Sequence, residues 1–165
     1  MAVEIERKFL VRDDAWRRLT DGGTRLVQAY LANTGLASVR VRIAGSAAWL
    51  SVKSMTRGLS RSEFEYAVPL ADAEAMLATL CAGPRIDKVR YCVACGPHTW
   101  EIDVFDGDNA GLVVAEIELG SEDEAFDRPS WLGDEVTHLE RYYNVRLVDR
   151  PYARWSDAER AGGLP

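Results

Sequence analysis

Glu4, Glu6 and Lys8 occupy every second position of Val-Glu-Ile-Glu-Arg-Lys-Phe-Leu-Val, residues 3–11. Side chains alternate faces along a strand, so these three share one face. Val3, Ile5 and Phe9 take the other, with Arg7 among them. The pattern recurs along the chain. Arg40 and Arg42 oppose Val39, Val41 and Ile43; Ser51 and Lys53 oppose Leu50 and Val52; Glu63 and Glu65 oppose Phe64, Tyr66 and Val68. Lys88 and Arg90, then Glu101 and Asp103, then Glu116 and Glu118 each face away from an apolar set in the same way. Carboxylates suit a hard divalent cation, and guanidinium or ammonium groups suit phosphate. The charged set therefore has the parts to hold a phosphorylated anion together with a metal.

These residues need strands to align them. Period-two patterning or β-branched enrichment marks residues 3–11, 25–32, 37–44, 48–54, 62–69, 86–94, 99–106 and 112–120 as strands. Turn signals separate several of them, including Asn33-Thr34-Gly35 and Cys95-Gly96-Pro97. Short helices are expected from Asp13 or Asp14 to Leu19, from Asp72 to Cys81, over residues 121–126 and from about His138 to Tyr143. The chain is read as one domain spanning 1–165, mainly β in an α+β arrangement, with eight strands that would allow a closed barrel and helices packed outside it. A charged strand face is ordinarily a solvated face. Here the charges come in same-sign pairs within strands, whereas a surface selected for solubility mixes signs. That pairing places the charged face inside and leaves an apolar exterior for the helices to cover.

Composition narrows the function classes. The 165 residues carry a formal net charge of −6, which argues against a general nucleic-acid binder. No apolar run is long enough for a membrane span, no secretory leader pattern opens the sequence, and a cytoplasmic setting is expected. Cys92-Val-Ala-Cys95 with His98 supplies fewer than the four ligands of a structural zinc site. His98 and His138 are expected as turn and surface residues rather than catalysts, since neither lies in a charged strand. There is no P-loop, zinc-protease motif or serine elbow.

The ordered series Glu4-Ile-Glu6-Arg-Lys8, Gln28-Ala-Tyr30-Leu31, Arg40-Val-Arg42, Lys53, Glu63-Phe-Glu65, Lys88-Val-Arg90, Glu101-Ile-Asp103 and Glu116-Ile-Glu118 resembles the CYTH superfamily, or triphosphate tunnel metalloenzymes. The likeness is greatest to the small bacterial inorganic triphosphatases. It implies an eight-stranded antiparallel closed β-barrel forming a tunnel with a charged interior, acting on a small triphosphate with Mg²⁺ or Mn²⁺. Lys8, Arg40, Arg42, Lys53, Lys88 and Arg90 would hold the phosphates along one wall. Glu4, Glu6, Glu116 and Glu118 resemble the family's metal carboxylates, and Glu63, Glu65, Glu101 and Asp103 complete an acidic wall. Tyr30 and Lys53 resemble a water-activating pair, with Lys88 as the competing base. The expected reaction is hydrolysis of tripolyphosphate to pyrophosphate and phosphate. Thiamine triphosphatase and adenylate cyclase are the enzymatic alternatives, and polyphosphate binding without turnover is the other. Trp49, Trp100 and Trp155 offer aromatic surface for an organic group, although Trp100 falls on an apolar face. A homodimer is compatible with the sequence.

Overall fold

The computed structural model describes residues 2–20, 22–55, 60–81 and 83–162. Within them the strands are β1 (Ala2–Val11), β2 (Gly23–Asn33), β3 (Ala37–Ala44), β4 (Ala47–Ser54) and β5 (Ser60–Val68), followed by β6 (Ile86–Cys95), β7 (His98–Phe105), β8 (Val113–Glu118) and β9 (Leu132–Glu135). The helices are α1 (Leu70–Thr79), α2 (Asn144–Asp149) and α3 (Asp157–Arg160). The eight strands expected from alternation all form. The ninth was not foreseen: Leu-Gly-Asp-Glu is four residues long and rich in poor strand formers.

The ladders run in the order β5-β4-β3-β2-β6-β7-β8-β1-β9, and every pairing is antiparallel. β1 also meets β5, but only along Ala2–Ile5. Further on, the same strand pairs with β9, Phe9 opposite Glu135 and Val11 opposite Leu132. The expected eight-stranded closed barrel is corrected accordingly. Among the described residues there are nine strands, and the wall is not laddered shut along its full length, because β9 takes the second half of β1. Arg7, on the outward face of β1, fastens β9 by donating from Nε to Glu135 Oε1 at 2.8 Å while its Nη2 pairs with the other carboxylate oxygen.

Alternation sorts the side chains as expected. Ala29, Val41 and Ala48, on the outward faces of β2, β3 and β4, pack beneath Ala73 and Leu77 of α1. Phe9, Trp100, Ile102 and Ile117 form a second outer core with Trp16, Trp131 and Leu132. Residues 121–126 are not helical, which corrects that expectation. Glu124 turns back to His98, and Pro129 disfavours helix for Arg128 before it. Phe126 nonetheless covers the barrel, edge-on to Phe9 and Trp100. The segment expected to be helical from His138 to Tyr143 narrows to one 3-10 turn, Glu140–Tyr142, before α2.

One apolar cluster lies on the charged side of the strands. Ile86, Phe105 and Val114 share their inward faces with Lys88, Asp103 and Glu116, and they seat Tyr142, Leu147 and Trp155 from the C-terminal segment. The inner face thus becomes apolar where β1 and β7 end and β6 and β8 begin, and the C-terminal segment fills that end.

Gly133 permits β9 to lie against β1. A Cβ there would come within 2.9 Å of the Leu10 carbonyl oxygen, and backbone cannot yield as a flexible side chain can. Gly133→Ala is expected to destabilise the fold by roughly 1–3 kcal/mol, the usual cost of overpacking. Urea unfolding measures this, and an unchanged midpoint would show that the approach tolerates a methyl group.

Candidate functional site

The inward faces enclose a cavity of about 910 Å³. Going round the sheet, β4, β3 and β6 present Lys53, Arg40, Arg42, Lys88 and Arg90, with Gln28 and Tyr30 on β2 between them. The other arc, β7, β8, β1 and β5, presents Glu101, Glu116, Glu118, Glu4, Glu6, Glu63 and Glu65. Two residues depart from the expected walls. Lys8 stands inside the acidic arc, on β1 opposite Glu116. Asp103 lies behind the cavity surface, wholly buried beneath Lys88 and Arg90.

The arcs are joined by ion pairs. Lys53 Nζ is 2.9 Å from both Glu4 carboxylate oxygens and 3.1 Å from Glu63 Oε1. Arg42 donates to both oxygens of Glu65 at 3.1 and 3.2 Å. Arg90 forks onto Asp103 at 2.7 Å through two nitrogens, reaches Glu116 at 2.8 Å and pairs with Glu101. Lys8 Nζ is 2.7 Å from Glu116 Oε1, 3.6 Å from Glu6 Oε1 and 3.4 Å from the Tyr142 carbonyl oxygen. Lys88, only 1 % exposed, is paired to Asp103 and lies over the Phe105 ring.

Burial pulls the Lys88 ammonium below the ordinary lysine value, with Asp103 opposing the shift and Arg90 adding to it. Burial also lowers the Arg42 guanidinium, and Arg40 beside it adds to the effect. For Glu116 burial acts to raise the carboxyl, but Lys8, Arg90 and Lys88 outweigh it and hold the group well below the usual carboxylate range. Glu101 goes the other way: burial raises it, and Arg90 only partly compensates. Glu63 is likewise raised by burial, against the pull of Lys53.

Several residues in or directly behind the wall were not read as site residues from the sequence. Ser51 Oγ donates to Glu65 at 2.8 Å and accepts from Arg40; its parity with Lys53 is the signal that marks it. Tyr143, Asn144 and Arg146 line the cavity from the C-terminal segment, where no alternation announces them. His98 stands at the β6–β7 turn and His138 is exposed, as expected; His98 also lines the cavity, its Nε2 2.7 Å from Glu124 Oε1. Cys92 and Cys95 are free thiols. Trp100 and Trp155 are buried in apolar clusters, and Trp49 lies beneath the Arg42 guanidinium at 5.2 Å, so the expected aromatic surface is already occupied.

The carboxylates fit a hard cation in kind. Glu6 and Glu118 face each other across the β1–β8 ladder, both into the cavity, and Mg²⁺ needs only one or two protein carboxylates. Among the described residues, no three acidic, histidine or cysteine side chains already converge as a cation site. Glu4 and Glu116 are instead turned toward Lys53, Lys8 and Arg90.

The family model for the CYTH domain matches residues 2–152. An inorganic triphosphatase from Acetivibrio thermocellus is 43 % identical over 157 residues, covering 95 % of this chain and 100 % of that protein. One from Nitrosomonas europaea is 38 % identical over 152 residues, covering 88 % and 96 %. The crystal structure of an inorganic triphosphatase superposes with a TM-score of 0.63 at 34 % identity, over 90 % of this chain and 95 % of the other.

The opposed carboxyl shifts set opposite expectations. Glu116 is depressed from an unfolded value of about 4.3, so its stabilisation is complete above that pH and is lost as pH falls through the folded value. Glu116→Gln is expected to cost on the order of 3 kcal/mol at pH 7, and the gap to wild type should close in acid. Glu101 is raised, so its ionised form burdens the fold at neutral pH. Glu101→Gln should raise the unfolding midpoint at pH 7, the difference vanishing toward about pH 4.3. Denaturant unfolding at several pH values tests both, and shifts of the same sign at pH 7 would contradict the assignment.

Proposed function

The chain belongs to the CYTH family, and from that premise we propose that it hydrolyses inorganic tripolyphosphate to pyrophosphate and phosphate inside the charged cavity. The observation that carries this reading is the cationic arc itself. Arg40, Arg42, Lys53, Lys88 and Arg90 converge on one enclosed space with carboxylates facing them. A chain of three phosphates, close to fully ionised at neutral pH, is a ligand of matching charge and shape. Trp100 and Trp155, two of the three tryptophans that could have met an organic group, are buried in apolar clusters, which favours tripolyphosphate over the thiamine triphosphatase and cyclase readings. A cytoplasmic setting is part of the proposal; among the described residues no helix is long and apolar enough to cross a membrane.

The arginines grip non-bridging oxygens through their planar forks, and Lys8 and Lys53 act as point charges. Glu6 and Glu118 would hold a divalent cation, Mg²⁺ or Mn²⁺, with Glu4 and Glu116 joining as phosphate draws away their cationic partners. When bound, that cation withdraws charge from the phosphate oxygens. The water oxygen attacks the terminal phosphorus, the bridging P–O bond breaks, and pyrophosphate leaves with the electron pair. We assign the proton to Lys88 Nζ as the neutral amine, the form that burial favours over the ammonium paired with Asp103. Lys53 sits between two carboxylates and is assigned to binding. Tyr30 lines the same cavity from β2, with β3 between it and the strand of Lys53.

Phosphate release from tripolyphosphate, ATP and thiamine triphosphate, assayed side by side, tests the proposal. Tripolyphosphate should show the highest kcat/KM, and activity should vanish in chelator and return with Mg²⁺ or Mn²⁺. Full activity in excess chelator, or preference for an organic triphosphate, would overturn it. Single-turnover rates separate the lysines. Lys88→Ala should lower the chemical rate by about 10²- to 10⁴-fold with little change in affinity, whereas Lys53→Ala should chiefly weaken binding. A normal chemical rate in Lys88→Ala would remove it as the base.

A further inference from the structure

Three buried donors on two neighbouring strands have no acceptor: Gln28 Nε2 on β2, and Arg40 Nε and Arg42 Nε on β3. Gln28 is 1 % exposed, stands directly opposite Arg42 in the β2–β3 ladder, and lines the cavity. On its other side it is diagonal to Lys88, since Gln28 pairs with Ile86 and Leu26 with Lys88. Buried polar groups in folded proteins are nearly always satisfied, and one left without a partner calls for an explanation. Three donors together, on the basic arc, describe a wall that lacks an anionic oxygen. The arginines alone would explain a general attraction for anions. The carboxamide adds something a cation cannot. Arg40 and Arg42 are already close enough to repel, and a third positive charge between them and Lys88 would add to that repulsion. A neutral amide supplies a donor in the same place at no electrostatic cost to its neighbours.

We propose that Gln28 is a substrate-binding residue, donating from its carboxamide to a non-bridging phosphate oxygen held by Arg40 and Arg42. This rests on the tripolyphosphatase reading and assigns within it a neutral contact that fixes the anion's position. Its consequence has an unusual sign. Removing the donor relieves an unsatisfied group in the empty protein while removing a hydrogen bond from the loaded one.

The test uses Gln28→Met, of similar size and without a donor, and inorganic pyrophosphate with Mg²⁺ as a probe that the protein does not turn over. Expected are a melting temperature at or above wild type without anion, pyrophosphate affinity weaker by about tenfold or more in calorimetry, and a smaller melting shift on adding the anion. With tripolyphosphate, KM should rise more than kcat falls. Gln28→Glu should fold, because Arg42 and Lys88 welcome its carboxylate, and should bind the anion still more weakly; it keeps the test readable if the methionine variant does not fold. Wild-type affinity in both variants, or a lowered melting temperature with unchanged affinity, would show that Gln28 is only structural. If wild type itself neither binds pyrophosphate nor cleaves tripolyphosphate, the functional reading fails and this assignment with it.

Discussion

A strand interior lined with charge can persist only if each charge is answered, and the pairing across the cavity is the constraint on which this structure depends. Lys88 and Asp103 are 1 % and 0 % exposed, far from the solvation that either ion ordinarily requires. They persist because Arg90 forks onto the same carboxylate and extends the network to Glu101 and Glu116. Turning charge inward also turns the apolar faces outward. That explains α1 over β2–β4 and the Phe126–Leu132 segment over β1, β7 and β8. The accessory elements are coverings for a sheet whose polarity is reversed relative to an ordinary small barrel.

The charges around the cavity satisfy one another to a large degree. Lys53 holds Glu4 and Glu63, Lys8 holds Glu116, and Arg42 holds Glu65. On the proposed function, a phosphate chain and a divalent cation each compete for one half of these pairs. Each releases what the other needs, so the two ligands favour one another's binding through the protein's own ion pairs. The orphaned donors of Gln28, Arg40 and Arg42 are the part of the wall that needs no such exchange.

Much of this was legible in the sequence because a period of two is unambiguous when one face is charged. Glu4-Ile-Glu6, Arg40-Val-Arg42 and Lys88-Val-Arg90 each fix a strand, its phase and its inward face within three residues. What escaped had no period to read. β9 is four residues including Gly133, and its place is set by an ion pair from Glu135 to Arg7, far earlier in the chain. Tyr143 reaches the cavity from the link between a 3-10 turn and α2, and Asn144 and Arg146 from α2 itself, six residues long and too short to declare a face. Residues 121–126 carry a helix-start signature, but the carboxylate of Glu124 is drawn to His98 instead. Asp103 shows the limit of alternation: it has the right phase for the cavity, yet depth along the strand places it behind the wall.

The position of β1 governs when the fold can come into being. Its partners are β5, β8 and β9, all of them later in the chain, and none is a hairpin neighbour. The local hairpins β2–β3, β3–β4, β4–β5 and β6–β7 can zip as soon as they are made. β1 cannot be paired along its whole length until Leu132–Glu135 has been made, and until then Phe9 lacks the Trp131 and Leu132 that share its cluster. Non-local pairing is the slow kind to close, so the strand that carries the first charges of the cavity is the one whose pairing depends wholly on distant chain.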